Sequence, residues 1–331
     1  KRDLMPVQFS ATDLAVQMRI KTVFDPAWLL NGAKVFPLEA SAAAQQAEKA
    51  GAAVVISDLD APATLAVADA VKLPVLNVGQ AADALRERDC RANLWHLIPS
   101  ERMRADALAQ AMVARRWPAA DDAVRGAAAQ AAIKRYGLKP VAVRPFKLSS
   151  DPRERDLANA LLLTGGGLGY DAVWVIDSDG EFARALPYRT ALPRPVVGDA
   201  GLVALAWHAQ YERFGAPQVV RRFAKAHARA MTDRDWASWM AGRALVAAAL
   251  AAPNGPASAW GKALATGELD GSKGVSMSFR AWDGQLRQPL VLTDGQGVIG
   301  TAPAEGVLHP RNTLDTLGAD ALEKLCKART P

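Results

Sequence analysis

Short apolar runs separated by helix-length polar stretches set the pattern of this chain. Ala52-Ala53-Val54-Val55-Ile56 and Pro74-Val75-Leu76-Asn77-Val78 are continuous apolar runs of strand length. Such runs mark strands buried on both faces. Leu94 to Ile98 reads the same way. Between these runs lie helices with recognisable ends. Ser41 caps a helix that Gly51 stops, and Asp60, with Pro62 in the first turn, opens one running to Lys72. A short helix reaches Arg88, and Ser100 caps a long helix from Glu101 to Arg116. Strands alternating with helices at this spacing predict a parallel sheet covered on both sides.

The unit then recurs. Ala120 to Tyr136 reads as a helix, Lys139 to Arg144 as a strand and Pro152 to Thr164 as a helix. Asp171 to Ile176 and Arg194 to Gly198 read as two more strands. Nearer the start, Val16 to Phe24 has the character of a strand broken by Asp25-Pro26. From Leu202 to Leu264 helices dominate. The period then drops to two, with Val275, Met277 and Phe279 alternating with polar residues. Asp283-Gly284 and Asp294-Gly295 are hairpin turn signals, and Leu314 to Lys327 reads as a closing helix. The prediction is an α/β protein with two sheets.

Composition narrows the classes. The 331 residues, half of them hydrophobic and 22% charged, suit about two globular domains with sizeable cores. No apolar run approaches the ~18 residues of a membrane span. The net charge of +6 comes from basic residues interleaved with acidic ones. That is unlike the one-sided basic patch of a nucleic-acid binder. The opening Lys1-Arg2-Asp3 has no signal-peptide character, which fits either a cytoplasmic protein or one whose signal has been removed. Two cysteines fit one disulfide in an oxidising compartment or two buried thiols. Neither they nor the four scattered histidines have metal-ligand spacing.

Several motifs resolve to turns. Gly165-Gly166-Gly167-Leu168-Gly169 follows a helix and precedes a strand, the reverse of a phosphate-binding loop, and reads as a helix cap. No G-x-S-x-G elbow is present. Asp177, Asp179 and Glu181 alternate like the start of a cation loop, but the run is too short to complete one. The more informative set lies at the carboxyl ends of predicted strands: Ser57 and Asp58, Asn77 and Gly79, Asp177 and Asp179, and Asp199. In open α/β sheets ligands bind at those ends. Trp207, just beyond the Asp199 loop, is a candidate cleft wall.

The segments Pro195–Leu202, Trp236–Leu245 and Gly271–Gly284 resemble type I periplasmic binding proteins of the branched-chain amino-acid-binding class. Leu85–Asn93, Pro99–Met103, Tyr170–Trp174 and Arg194–Gly198 resemble, more narrowly, the subgroup associated with pyrroloquinoline-quinone (PQQ)-dependent alcohol oxidation systems. The resemblance spans roughly residues 50–331. It departs near the start, and again at Trp117-Pro118-Ala119, which runs into the next helix where the class has a strand. It implies a two-lobe fold, each lobe a mainly parallel sheet flanked by helices. Residues 1–97 and 201–285 would form lobe 1, and 98–200 lobe 2. Residues 286–331 would form a hinge-crossing hairpin and C-terminal helix. Cys90 and Cys326 would pair, tying that tail to lobe 1.

The function implied is capture of a small polar ligand, by lobe closure, for the membrane permease of an ATP-binding-cassette (ABC) importer. It needs no cofactor or catalysis and places the protein in the periplasm after signal removal. Carried over to this class, Ser57, Asp58, Asn77 and Gly79 would meet the ligand from one lobe. Asp177, Asp179 and Asp199 would meet it from the other, with Asp199 set to hold an ammonium. Two other readings remain open: a cytoplasmic hydrolase-like enzyme with His96 or His208 against a serine, and a sensor or scaffold whose pocket is lost.

Overall fold

A computed structural model describes residues 40–115, 126–149, 151–167, 169–177, 179–253 and 255–329. The strand expected at 16–24, the stretch 117–119 and Ser178 lie outside the described residues.

The first sheet is built as the apolar runs predict. Strands β1 (Val55–Ser57), β2 (Val75–Asn77) and β3 (Leu94–His96) lie parallel in that order, with Ser57 opposite Asn77 and Asn77 opposite His96. Helix α1 (Ala40–Lys49) and helix α2 (Ala61–Ala70), the latter capped by the Asp60 carboxylate with Pro62 in its first turn, pack on one face. Side chains alternate across a strand, so Val75 and Leu94 point to α1 and α2. Leu76 and Trp95 point the other way, into a second core.

Distant parts of the chain supply the far wall of that second core. It is made by α6 (Ala216–His227), α7 (Asp233–Ala251), α8 (Ala257–Thr266) and the antiparallel pair β7 (Glu268–Asp270) and β8 (Ser276–Ser278). Thr232 and Asp235 form a reciprocal capping box at the start of α7. Lys273 is buried here beneath the Trp236 ring, 3.7 Å from its centroid, and donates to Gln288 and Pro289. Desolvation holds its ammonium well below the ordinary lysine range.

A separate body contains α3 (Glu101–Arg115), α4 (Gly126–Arg135), the short α5 (Ala160–Leu163) and the parallel pair β4 (Val173–Val175) and β5 (Val196–Gly198). A three-stranded antiparallel sheet joins it, ordered β10 (Val298–Ala302), β9 (Leu290–Thr293), β6 (Val203–Leu205). Alternation again divides the faces. Trp174 and Ile176 join the core under α3 and α4, while Val173 and Val175 pack against Ala160, Ala183 and Leu186.

Three expectations differ. Lys139–Arg144 forms no strand, because its alternate residues stay exposed with no partner strand among the described residues. Val203–Leu205, expected in a helix, is a strand recruited by β9. The tail is not an α-helix but three 3₁₀ turns: Thr313–Thr316, Ala321–Glu323 and Lys327–Arg329. Gly318 at φ +88° and Lys324 at φ +50° break it. A Cβ at Gly318 would lie 2.8 Å from Met103 Cγ, so close docking on α3 replaces helical continuity.

The same contact makes a pH-sensitive site. Asp106 on α3 is 1% exposed and accepts from Gly318 N (2.8 Å) and Arg135 Nη1 (3.0 Å). Burial outweighs these bonds and pushes its pKa up to about 6. The folded value exceeds the ordinary unfolded value of about 3.9, so the folded chain holds the proton more tightly. That contribution is complete below about pH 4 and is lost as the pH rises through about 6. Denaturant titrations from pH 4 to 7 are expected to show stability falling by a larger increment in the native chain than in Asp106→Asn.

Candidate ligand cleft between the lobes

The loop after β1 carries Asp58, and the loop after β2 carries Gly79 directly beneath it. A Cβ at Gly79 would fall 1.6 Å from Asp58 Oδ1, so glycine is what lets these two tips close together. Ser57 and Asn77 lie behind them and are occupied internally. Ser57 Oγ pairs with Thr64 Oγ1 at 3.1 Å. Asn77 Oδ1 accepts from Gln80 N at 2.9 Å, and its Nδ2 donates to Gln80 O at 2.7 Å and meets His96 Nδ1 at 2.9 Å. These two residues shape the rim from below.

Arg86 fixes the rest of this rim. It is 2% exposed, donates from Nε to Gln285 Oε1 at 2.8 Å and from Nη2 to Ile98 O at 2.9 Å, and also bonds the carbonyls of Gln80 and Ala82. His96 beside it is kept neutral, first by burial and then by Arg86 and Arg329.

The first turn of α7 joins the two bodies. Arg234 lies 3.7 Å from Asp58, while its neighbour Asp233 accepts from Arg104 of α3 at 3.1 Å. Arg104 and Glu101, in the first turn of α3, line a cavity of about 220 Å³ together with Gly198 and Asp199 after β5. Asp199 Oδ2 accepts from Asp177 N at 2.7 Å, and Asp177 Oδ2 accepts from Ala183 N at 2.8 Å. Asp58 is thus tied to α3 through Arg234, Asp233 and Arg104, and Arg104 shares the lining of the cavity with Asp199.

Other expected site residues are placed differently. Asp179 accepts from Glu181 N at 3.0 Å within its own turn. Trp207 does not line the cleft. It is 1% exposed, stacked on Trp236 at 6.1 Å and edge-on to Tyr211 at 6.0 Å. The reason is the unforeseen β6, which carries the chain into the core before Trp207. Among the described residues no group of three His, Cys, Asp or Glu converges on a metal-sized point. His96 contacts Asn77, and His208 Nδ1 accepts from Gln210 N at 3.2 Å, so neither histidine is hydrogen-bonded to a serine in these contacts.

Sequence reasoning missed Arg104, Asp233, Arg234 and Trp174. The caps at Ser100 and Thr232 were the available signal, since each opens a helix whose first turn faces the cleft. The pairing of residues 129 apart, Arg104 with Asp233, leaves no local trace.

Gly198 illustrates how tightly the lobe 2 rim is built. Its φ is +115°, and a Cβ would stand 2.0 Å from Val175 O and 2.9 Å from Trp174 Cδ1. Gly198→Ala is expected to cost about 1–3 kcal/mol in urea unfolding, from backbone strain and displacement of Trp174.

Known structures share this architecture. A branched-chain amino-acid ABC transporter periplasmic ligand-binding protein from Burkholderia xenovorans superposes with a TM-score of 0.67 at 14% identity, covering 88% of this chain and 85% of the other. The leucine-, isoleucine-, valine-, threonine- and alanine-binding protein of Brucella ovis, in its closed conformation, gives 0.65 at 14% identity, covering 97% and 96%. An ABC-transporter solute-binding protein of R. palustris in complex with benzoate gives 0.61 at 15% identity, covering 80% and 81%. No family model and no curated protein matches the chain. At these identities the likeness shows the fold: the two-lobe α/β fold of type I periplasmic binding proteins.

Cys90 and Cys326 form a disulfide, with Cα atoms 5.7 Å apart. No described helix is long and apolar enough to cross a membrane.

Proposed function

We propose that this chain is the extracytoplasmic solute-binding subunit of an ABC importer and has no catalytic role. It captures a small solute with a polar head by closing lobe 1 (1–97 and 201–285) on lobe 2 (98–200), with the crossing segment 286–331 as part of the hinge. The observation that carries this reading is the Asp58–Arg234 and Asp233–Arg104 relay, which ties a polar tip of the first sheet to α3, where Arg104 lines a cavity together with Asp199. Loop tips at the carboxyl ends of strands are where such sheets bind ligands. The three solved relatives, described as binding amino acids or benzoate, support the solute class. The disulfide suits an oxidising, periplasmic compartment. The motif order around residues 85–110 and 170–198 supports a link to PQQ-dependent alcohol oxidation.

Closure means that ligand favours the state in which both rims touch it. A solute at a hundred times its Kd is expected to stabilise the chain by about 2.7 kcal/mol. Thermal-shift screening, with mass spectrometry of whatever co-purifies, tests this. A chain stabilised by no small solute would refute the proposal. Arg104→Ala removes a half-buried bond between lobes. It is expected to weaken binding roughly fivefold, about 1 kcal/mol, and to increase the radius of gyration of the liganded protein.

A further inference from the structure

We propose that the cavity lined by α3, α4, β4 and β6 is a specificity pocket for a solute carrying one aromatic ring, seated against Trp174. This inference rests on the solute-binding reading and names the solute's shape.

Three features carry it. The first is size. About 220 Å³ lies between the ~150 Å³ of an apolar cavity that holds benzene and the ~300 Å³ at which drug-sized pockets begin. One ring with a short substituent fills that space, and a fused bicycle overfills it.

The second feature is polarity. Ala105 and Leu108 of α3, Ala128 and Ala129 of α4, Trp174 of β4 and Ile176 just beyond it form apolar walls. Among the described residues, Glu101, Arg104 and Asp199 are the only charged ones lining the space. Glu101 and Leu108 lie seven residues apart on α3, so at 1.5 Å per residue the lining extends about 10 Å along the helix. That length accommodates a ring plus a one- or two-atom linker. Charges of both signs at the mouth leave the head group to be decided by experiment, while the ring is fixed by the walls.

The third feature is the wall itself. Trp174 is 5% exposed, lies on the strand face turned to α3 and α4, and has its Cδ1 2.9 Å from where a Cβ at Gly198 would stand. Small residues at 105, 128 and 129 on the opposite side keep the space open. Larger residues there would fill it without touching the lobe 1 rim.

The test is isothermal titration with benzyl alcohol, benzoate and benzylamine, beside ringless methanol, acetate and methylamine. It is run on the native chain, on Ala129→Leu and on Ala105→Leu, with folding checked by circular dichroism. Nuclear magnetic resonance follows the Trp174 indole N–H of the native chain, assigned through Trp174→Phe. The expected result is binding of at least one ring compound but not its ringless partner. A shift of the Trp174 indole and a tenfold or greater loss of affinity in the folded filled variants should accompany it.

If no ring compound binds, or if binding leaves Trp174 unmoved, the pocket assignment is overturned. Unchanged affinity in a folded filled variant overturns it too. A different solute that stabilises the chain while ignoring both substitutions would sink the pocket but leave the solute-binding reading standing. A chain stabilised by no solute in the wider screen would sink both.

Discussion

Arg280→Met is expected to destabilise the protein by about 3–5 kcal/mol, the largest effect of any single substitution considered for this chain. Arg280 is fully buried. Its Nε donates to Asp315 Oδ1 at 2.9 Å, and its Nη2 donates to the carbonyls of Leu314 (2.9 Å) and Leu317 (2.6 Å). Asp283 Oδ2 stands 3.7 Å from its Nη1. Asp315 would keep Arg287 Nε at 2.9 Å, so the loss arises mainly at the two tail carbonyls and at Asp283, which would be left buried with reduced compensation. A buried acceptor without a donor costs about 1–3 kcal/mol. Arg280→Lys should rescue little, because an ammonium cannot reproduce the planar fork that meets a carboxylate and two carbonyls together. Equilibrium unfolding in urea measures both. A loss under 1 kcal/mol for the methionine variant would show that the tail relaxes around the site.

Reducing the Cys90–Cys326 disulfide is the second large perturbation. It links residues 236 apart, and removing a native bridge of this kind typically costs about 2–5 kcal/mol. For a chain of this length that is a melting-point drop of about 3–7 °C. The bond acts with its neighbours. Arg329 beside it donates to Leu94 O at 2.7 Å and packs over Trp95 at 4.1 Å. Glu323 accepts from Arg102 at 2.7 Å on the opposite body. Cys326→Ser is therefore expected to loosen the tail from β3 first, seen as faster amide exchange at Leu94 to His96 than in the core of α7. Unchanged exchange there, with the melting point lowered, would mean that the bond acts through the unfolded chain alone.

The fold was legible where the physics is local. Val75 and Leu76 flank a register in which each points to a different helix layer, and a continuous apolar run announces that. The cap at Asp60, and the turns at Asp283-Gly284 and Asp294-Gly295, are likewise written in neighbouring residues. What could not be read depends on distant partners. Val203–Leu205 is apolar enough for helix or strand, and only β9, some ninety residues later, decides. The tail carries helix-forming residues, but Gly318 has to come against Met103, and that contact overrides propensity.

The candidate site divides the same way. Asp58, Gly79 and Asp199 stand out in sequence because polar residues at strand ends are a local sign. Ser57 and Asn77 carry that sign too but spend their side chains on Thr64, Gln80 and His96. Trp207 was misplaced by the missed strand. The cap at Ser100 marks the turn that carries Arg104 but not its partner, which lies 129 residues away, and Trp174 depends on the missing side chain of a glycine.

The interleaving of segments has a consequence for synthesis. Leu76, Trp95 and Leu97 share their core with Trp236, Met240, Met277 and Leu286, so much of its far wall lies beyond α6. A nascent polypeptide that has emerged only as far as α6 therefore displays an apolar face that Trp207, Tyr211 and α6 cover only in part. Fragments ending near residue 230 should be captured by chaperones or aggregate, whereas release of the remaining hundred residues should let both halves condense together.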